Sequence, residues 1–322
     1  MKENFWKKLP RPFFVLAPMA NVTDAAFRRV IAKYGKPDVT WTEFVAADGL
    51  VKATPEGKAK LMKDLVFHES ERPIVAQLFT GNPEHMEIAA RLCKNLGFDG
   101  IDINMGCPDK IVEKQKSGAC LIKHPSLAKE IIKAAKRGAG DLPVSVKTRV
   151  GYNKVEIEEW LPSLLEEDIA ALTVHARTRK EMSKVPARWE FVKRAVEIRN
   201  EMKKDTLIIG NGDVKSVEEG RRRIEETGCD GIMIGRGIFG NPFTFSKEGK
   251  AKDLKEQLTA LLEHIEHFDE VLGETKNFAF MKKHFKSYVQ NFENASDLRE
   301  KLMSAEGKRE AVKILREFLN KK

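Results

Sequence analysis

Leu207-Ile208-Ile209-Gly210-Asn211-Gly212-Asp213 and Gly231-Ile232-Met233-Ile234-Gly235-Arg236-Gly237 decide how this chain is read. Each is a short apolar run, 207–210 and 231–234, that ends on a glycine-rich polar turn. Residues 217–227 between them read as a helix, so the stretch runs strand, helix, strand. The same alternation recurs upstream. Apolar runs at 13–18, 39–44, 74–78, 100–104, 144–148 and 171–175 alternate with helical segments such as 24–34, 85–95, 127–136 and 189–199. Eight strand–helix units over roughly 240 residues are the arithmetic of an α/β fold of the (β/α)8 TIM-barrel type. An open doubly wound sheet has fewer strands and carries a GxGxxG after the first of them, which is absent here.

After Pro242 the pattern changes. Residues 250–322 carry helical periodicity alone: Leu254, Leu258, Leu261, Leu262 and Ile265 recur at three and four residues, as do Val312, Leu315 and Leu319. The expected organisation is a catalytic barrel domain over 1–245 and an appended all-α domain over 250–322, which suits a length of 322 residues. Hydrophobic residues at 42% and charged residues at 33% give enough apolar surface for a core and exclude a disordered chain. The longest apolar run, 13–20, contains Pro18 and is too short to cross a bilayer, so no membrane association is expected. The N-terminus has charges without an apolar targeting core, and the four cysteines lack CxxC spacing. A reducing, cytoplasmic compartment follows, with neither a disulfide framework nor a metal site. The net charge of +9 suits a polyanionic partner such as nucleic acid. The tail itself is nearly balanced, with 15 Lys and Arg against 13 Asp and Glu. A nucleic-acid face there would rest on shape, around Lys276, Lys282, Lys283, Lys286 and Tyr288.

In such a barrel the functional groups sit at the carboxyl ends of the strands. Pro18, Met19, Ala20 and Asn21 follow the first run, and Gln77 lies in the third. The fourth leads into Asn104-Met105-Gly106-Cys107-Pro108, the fifth ends on Lys147-Thr148-Arg149, and the sixth on His175-Ala176-Arg177. Loops after strands seven and eight are a habitual phosphate site. There Gly212 and Gly235 let backbone approach an anion, and Arg236 adds charge. Lys147, aimed into the mouth, calls for an electron-rich partner. His175 reads either as a ligand or as a core histidine. Cys107 lies on a backbone constrained by Gly106 and Pro108, where a thiol could act as nucleophile, as proton donor, or as a small buried hydrophobe. Cys93, Cys120 and Cys229 read as buried hydrophobes.

Together these motifs resemble the tRNA-dihydrouridine synthases. The matching elements are Ala17-Pro18-Met19-Ala20 with Val22-Thr23-Asp24 and Phe27-Arg28, then Gln77, Asn104-Met105-Gly106-Cys107-Pro108 and Lys116-Ser117-Gly118-Ala119. Val146-Lys147-Thr148-Arg149, His175-Ala176-Arg177-Thr178-Arg179, Asn211-Gly212-Asp213 and the 231–237 segment follow in the family's order. The resemblance covers residues 13–243; the last 75 or so residues match only loosely, as a helical domain of suitable length. It implies an FMN cofactor packed by Pro18, Met19 and Ala20 and bonded at its polar edge by Gln77 and Lys147. The ribityl phosphate would lie among His175, Asn211, Gly212, Asp213, Gly235 and Arg236. The implied reaction is reduction of the C5–C6 double bond of a uridine in tRNA. NADPH serves as reductant, hydride goes to C6, and Cys107 protonates C5 as general acid. Asn104 would bond the uracil edge. Arg188 resembles a uracil-contacting arginine of some members, and Arg177 and Arg179 are expected on the RNA backbone. A monomer is expected. The loop Gly151-Tyr152-Asn153-Lys154 departs from the commoner acidic or tryptophan-bearing form.

Two other readings stay open at this point. One is a flavin barrel acting on a free pyrimidine, as dihydroorotate dehydrogenase-like proteins do; the helical appendage and basic charge argue against it. The other is an RNA-binding module without redox activity, which the intact Cys107, Lys147 and Gly235-Arg236 disfavour.

Overall fold

The computed structural model describes residues 4–321; residues 1–3 and 322, at the outer ends of the two expected domains, lie outside the described chain. Strands β1 (Phe13–Leu16), β2 (Thr40–Ala46), β3 (Ile74–Phe79), β4 (Gly100–Met105), β5 (Val144–Arg149), β6 (Ala171–His175), β7 (Leu207–Asn211) and β8 (Gly231–Ile234) pair in the order β1-β8-β7-β6-β5-β4-β3-β2. All these pairs are parallel. Asp38 N–H donates to Phe14 O (2.9 Å) and Leu16 N–H to Val39 O (3.2 Å), which joins β1 to the lead-in of β2 and closes the barrel. Strands buried on both faces read as near-continuous apolar runs, which is why they stood out in the sequence.

Around them lie α1 (Ala25–Tyr34), α2 (Ala47–Lys52), α3 (Pro55–Asp64), α4 (Pro83–Asn95), α5 (Lys110–Lys114), α6 (Pro125–Ala139), α7 (Ile157–Leu165), α8 (Glu190–Glu201) and α9 (Val217–Thr227). Polar caps set several starts. The Asp24 carboxylate accepts from Phe27 N–H to begin α1, Asn82 precedes Pro83 at α4, and Ser216 caps α9. Inside the barrel, Phe13, Val15, Trp41, Val75, Leu207, Ile209 and Met233 form one apolar cluster. Trp6 joins that cluster beside the first strands, its ring centroid 5.8 Å from that of Phe13 and 5.9 Å from that of Trp41.

Helices α10 (Leu254–Leu272), α11 (Lys282–Tyr288), α12 (Ala295–Ser304) and α13 (Lys308–Leu319) follow the barrel. Their apolar faces share one core with α1. Phe27 of α1 stacks on His264 (centroids 4.9 Å, planes 14° apart) and lies 5.0 Å from His284. Arg29–Glu270 (3.4 Å) and Lys33–Glu263 (2.7 Å) flank that seam. Emptying the Phe27 site would cost about 3–5 kcal/mol, so the seam is a substantial part of the fold. Lys276, between α10 and α11, bonds Glu43 of β2 (2.8 Å) and Asp64 of α3 (3.0 Å). The expected RNA face around Lys276 and Tyr288 is therefore corrected. Lys276 is spent on two carboxylates and Tyr288 is fully buried, while Lys282 and Lys283 are half-buried and Lys286 stays exposed.

Candidate active site

Above the apolar floor the barrel interior turns polar. Register places Gln77, Asp102 and Ser145 at one level on β3, β4 and β5. Gln77 Nε2 donates to Asp102 Oδ2 (2.6 Å) and Ser145 Oγ to Asp102 Oδ1 (2.6 Å). Burial pushes the Asp102 carboxyl up to about 6. Two residues further along β4, Asn104 Nδ2 donates to Gln77 Oε1 (3.0 Å). Its Oδ1 accepts from the amides of Gly106 (3.0 Å) and Cys107 (2.9 Å). The turn carrying Cys107 is thus pinned from below. Gly118, with φ +60°, packs beside it; a Cβ there would fall 2.7 Å from Cys107 O. Cys107 is half-buried, and burial raises its thiol from the ordinary value although Arg149 and Lys147 pull the other way.

A cavity of about 780 Å³ opens at the carboxyl ends of the strands; Cys107 is not among its lining residues, and its turn joins the wall through Arg149, which bonds Gly106 O. Pro18 and Met19 form one wall and Lys147 reaches in from β5, its Nζ 3.2 Å from Asn211 Oδ1. Arg149, Arg177, Lys215 and Arg236 also line it, against Asp213 as the single carboxylate among the described residues of its lining. Burial and Arg149 lower Lys147 to about 8, and burial lowers Arg149 to about 10. His175 is held neutral, far below its ordinary value, by burial and then by Arg149, Lys147, Arg177 and Arg236. Burial would raise Asp213, but Arg177, the Ala187 amide (2.9 Å) and Arg236 (2.8 Å) hold it below the usual carboxylate range. Gly212 adopts φ +136°, and a Cβ there would meet Ala187 Cβ at 2.7 Å. An excess of cations over carboxylate on a glycine-bearing wall is the electrostatic form of an anion site.

Of the residues expected in the site, Pro18, Met19, Lys147, His175, Asn211, Gly212, Asp213, Gly235 and Arg236 line this one cavity. Ala20 follows on the exposed lip. Gln77 and Asn104 lie beneath it, 0% and 6% exposed, with their amides engaged as described. Arg177 departs from expectation. It is 2% exposed, bonds Val185 O (2.6 Å), His175 Nε2 (3.1 Å) and Asp213, and belongs to the cavity wall rather than to an RNA-facing surface. Arg179 is paired with Glu113 (2.8 Å through Nε) and Arg188 with both oxygens of Glu181 (2.7 and 2.8 Å), so neither is a free cation.

The sequence places Arg149 at the end of the fifth run and gives it no role of its own. Its Nε donates to Gly106 O (2.8 Å) and its Nη1 to Thr178 O (3.2 Å) and Met182 O (2.9 Å), which ties the Cys107 turn to the loop after β6. The signal was present: a residue two positions beyond Lys147 on a strand shares its face. Among the described residues no group of three or more His, Cys, Asp or Glu side chains could hold a metal ion. None of their helices is long and apolar enough to cross a membrane.

Comparison with known proteins gives the family. The family described as Dihydrouridine synthase (Dus) matches residues 15–322. The chain is 46% identical over 323 residues to the probable tRNA-dihydrouridine synthase 2 of Bacillus subtilis (strain 168), covering 100% of this chain and 98% of that protein. It is 45% identical over 320 residues to a probable tRNA-dihydrouridine synthase of Staphylococcus aureus (strain MRSA252), covering 99% and 96%. In fold it is similar to morphinone reductase in complex with tetrahydroNAD (TM-score 0.51, 13% identity, 74% of this chain and 87% of that one). Histamine dehydrogenase from Rhizobium sp. 4-9 is similar too (TM-score 0.54, 15% identity, 79% and 48%). The chain belongs to the dihydrouridine synthase family and is a flavin-dependent oxidoreductase.

Proposed function

We propose that this chain is a cytoplasmic, monomeric tRNA-dihydrouridine synthase that uses FMN and NADPH to reduce the C5–C6 double bond of uridines in tRNA. The observation that carries the reading is a cation-rich cavity at the ends of β7 and β8 whose wall, through Arg149, holds the turn bearing a neutral thiol. The donor set fits FMN. Arg236, Arg177 and the turns at Gly212 and Gly235 would hold the phosphate, with neutral His175 beside it, and Lys147 would meet the electron-rich edge of the ring system. A volume of about 780 Å³ lies within the range of cofactor sites. The cofactor, when bound, supplies the hydride delivered to C6 of the uracil.

The chain's own residues account for the rest. Cys107 stays protonated at neutral pH because burial raises it, so it can give a proton to C5 rather than attack as thiolate. Arg149 and Lys147, which stabilise the thiolate, ease the charge left on sulfur after transfer. Asn104 has one amide hydrogen left for a uracil carbonyl, since the other goes to Gln77 and its oxygen to two backbone amides. The target base must leave its stack to reach this depth. The barrel over 1–245 would carry the chemistry. The helices over 250–322, with Arg179 and Arg188 at the lip, would carry the tRNA once their carboxylate partners are exchanged for phosphate.

The test is spectroscopic. Purified protein should show flavin absorption that bleaches with NADPH and returns on adding unmodified tRNA under anaerobic conditions. Bleached flavin that free uridine reoxidises as fast as tRNA would favour the free-pyrimidine reductase. No flavin even after reconstitution with FMN would overturn both readings.

A further inference from the structure

Asp102 is fully buried inside the barrel, and nothing in the reaction above uses it. A carboxylate accepts hydrogen bonds only. Ser145 Oγ at 2.6 Å and Gln77 Nε2 at 2.6 Å, which bond it, must therefore both donate. That fixes the Gln77 amide, leaving its oxygen on the far side, where Asn104 Nδ2 donates at 3.0 Å. Asn104 is fixed in turn. Its oxygen faces the amides of Gly106 (3.0 Å) and Cys107 (2.9 Å), which can only donate. An acceptor-only group at one end and two donor-only groups at the other leave the intervening amides a single consistent direction.

We infer that Asp102 is a positioning residue for Cys107: through Gln77 and Asn104 it sets the amide direction that holds the turn bearing the thiol. The inference rests on the role given to Cys107 above. If Gln77 turned over, Asn104 would follow and set its NH2 against two backbone N–H groups. The turn would then lose both bonds in a buried place, where unsatisfied donors are costly.

The test compares Asp102→Leu with Asp102→Asn in the flavin-loaded enzyme. Leucine matches the shape and removes the acceptor. Asparagine can still offer its oxygen to Gln77 while its NH2 meets the rotatable Ser145 hydroxyl. Asp102→Leu should slow reoxidation by tRNA by about 100-fold, the scale of a misplaced reacting group. Flavin reduction by NADPH should stay within about twofold, because only the second half-reaction uses the turn. Iodoacetamide labelling of Cys107, read by peptide mass spectrometry, should quicken about tenfold on losing one or two hydrogen bonds that close the turn. Asp102→Asn should restore most of both.

Unchanged labelling and unchanged tRNA kcat in Asp102→Leu would overturn the inference. Equal losses in both half-reactions with a lowered melting point would also overturn it, in favour of a purely structural role. Should Asp102→Leu not fold, Gln77→Met cuts the same relay at its middle, and Cys107 labelling alone decides. Full turnover in Cys107→Ala would remove the thiol's role, yet labelling would still report whether Asp102 holds the turn, so the two failures are separable.

Discussion

Lys147→Met removes the ammonium from the cavity while keeping most of the side-chain volume, and its effect on the cofactor-free protein should depend on pH. Burial and Arg149 lower Lys147 from 10.5 to about 8. Between those two values the unfolded chain holds a proton that the folded one has released, so stability rises with pH across this window. Below pH 8 the folded protein carries the buried charge at full cost. A shift of that size corresponds to about 3 kcal/mol at 1.36 kcal/mol per unit. With an unfolding entropy near 2 cal/mol/K per residue over 322 residues, that is roughly 5 °C in melting temperature. Lys147→Met should accordingly melt about 5 °C above the wild type at pH 7, with the gap closing by pH 10.5. Thermal unfolding of both proteins followed by circular dichroism from pH 7 to 10.5 reads the difference, in which distant titrations cancel. A gap that does not vary with pH, or a wild type more stable at pH 7, would refute the electrostatic account of the cavity. The same variant should bind FMN more weakly, because the cost of holding the lysine charged is what an electron-rich ligand relieves.

Other consequences are equally direct. Cys107→Ala should keep NADPH-driven flavin reduction and lose roughly 100-fold or more in tRNA reduction, the scale of a general acid. In the wild type, tRNA reduction should be flat through neutral pH and fall only in alkali, since burial raises the thiol; a rate that climbs with pH would assign the thiolate instead. Arg236→Ala should weaken FMN binding about tenfold or more, the worth of a charge-assisted hydrogen bond, measured by fluorescence titration. Lys276→Met leaves Glu43 and Asp64 without their shared cation and should cost about 3 kcal/mol in urea unfolding; a change under about 0.5 kcal/mol would mean the pairing contributes nothing.

The barrel was legible because each strand is an apolar run buried on both faces, and the β6 and β8 runs coincide with the observed strands. Strands β3, β4, β5 and β7 extend one residue past their apolar runs, ending on Phe79, Met105, Arg149 and Asn211. At Arg149 and Asn211 the ladder continues under polar residues that point into the barrel. Hydropathy cannot follow a strand into its own active site. The cavity wall was legible through glycines and strand-end cations, because position at a carboxyl end is fixed by the fold class. Direction was not. Arg177 follows His175 on the same strand end, and only the folded loop turns its guanidinium inward onto Asp213. Glu113 and Glu181, which occupy Arg179 and Arg188, come from α5 and from the loop after β6, and no spacing rule announced them. The tail's helices were read from their leucines. Their docking on α1 through Phe27, His264 and His284 depends on contacts more than 230 residues apart, which local periodicity does not encode.

Reduction of uridine within tRNA by this cavity and Cys107 is read directly from the product. Unmodified tRNA transcripts should be incubated with the FMN-loaded enzyme and NADPH, digested to nucleosides and analysed by mass spectrometry. Uridine should be converted to a product heavier by two hydrogens, dependent on NADPH and lost in Cys107→Ala. Flavin turnover with no such product from any tRNA would contradict it.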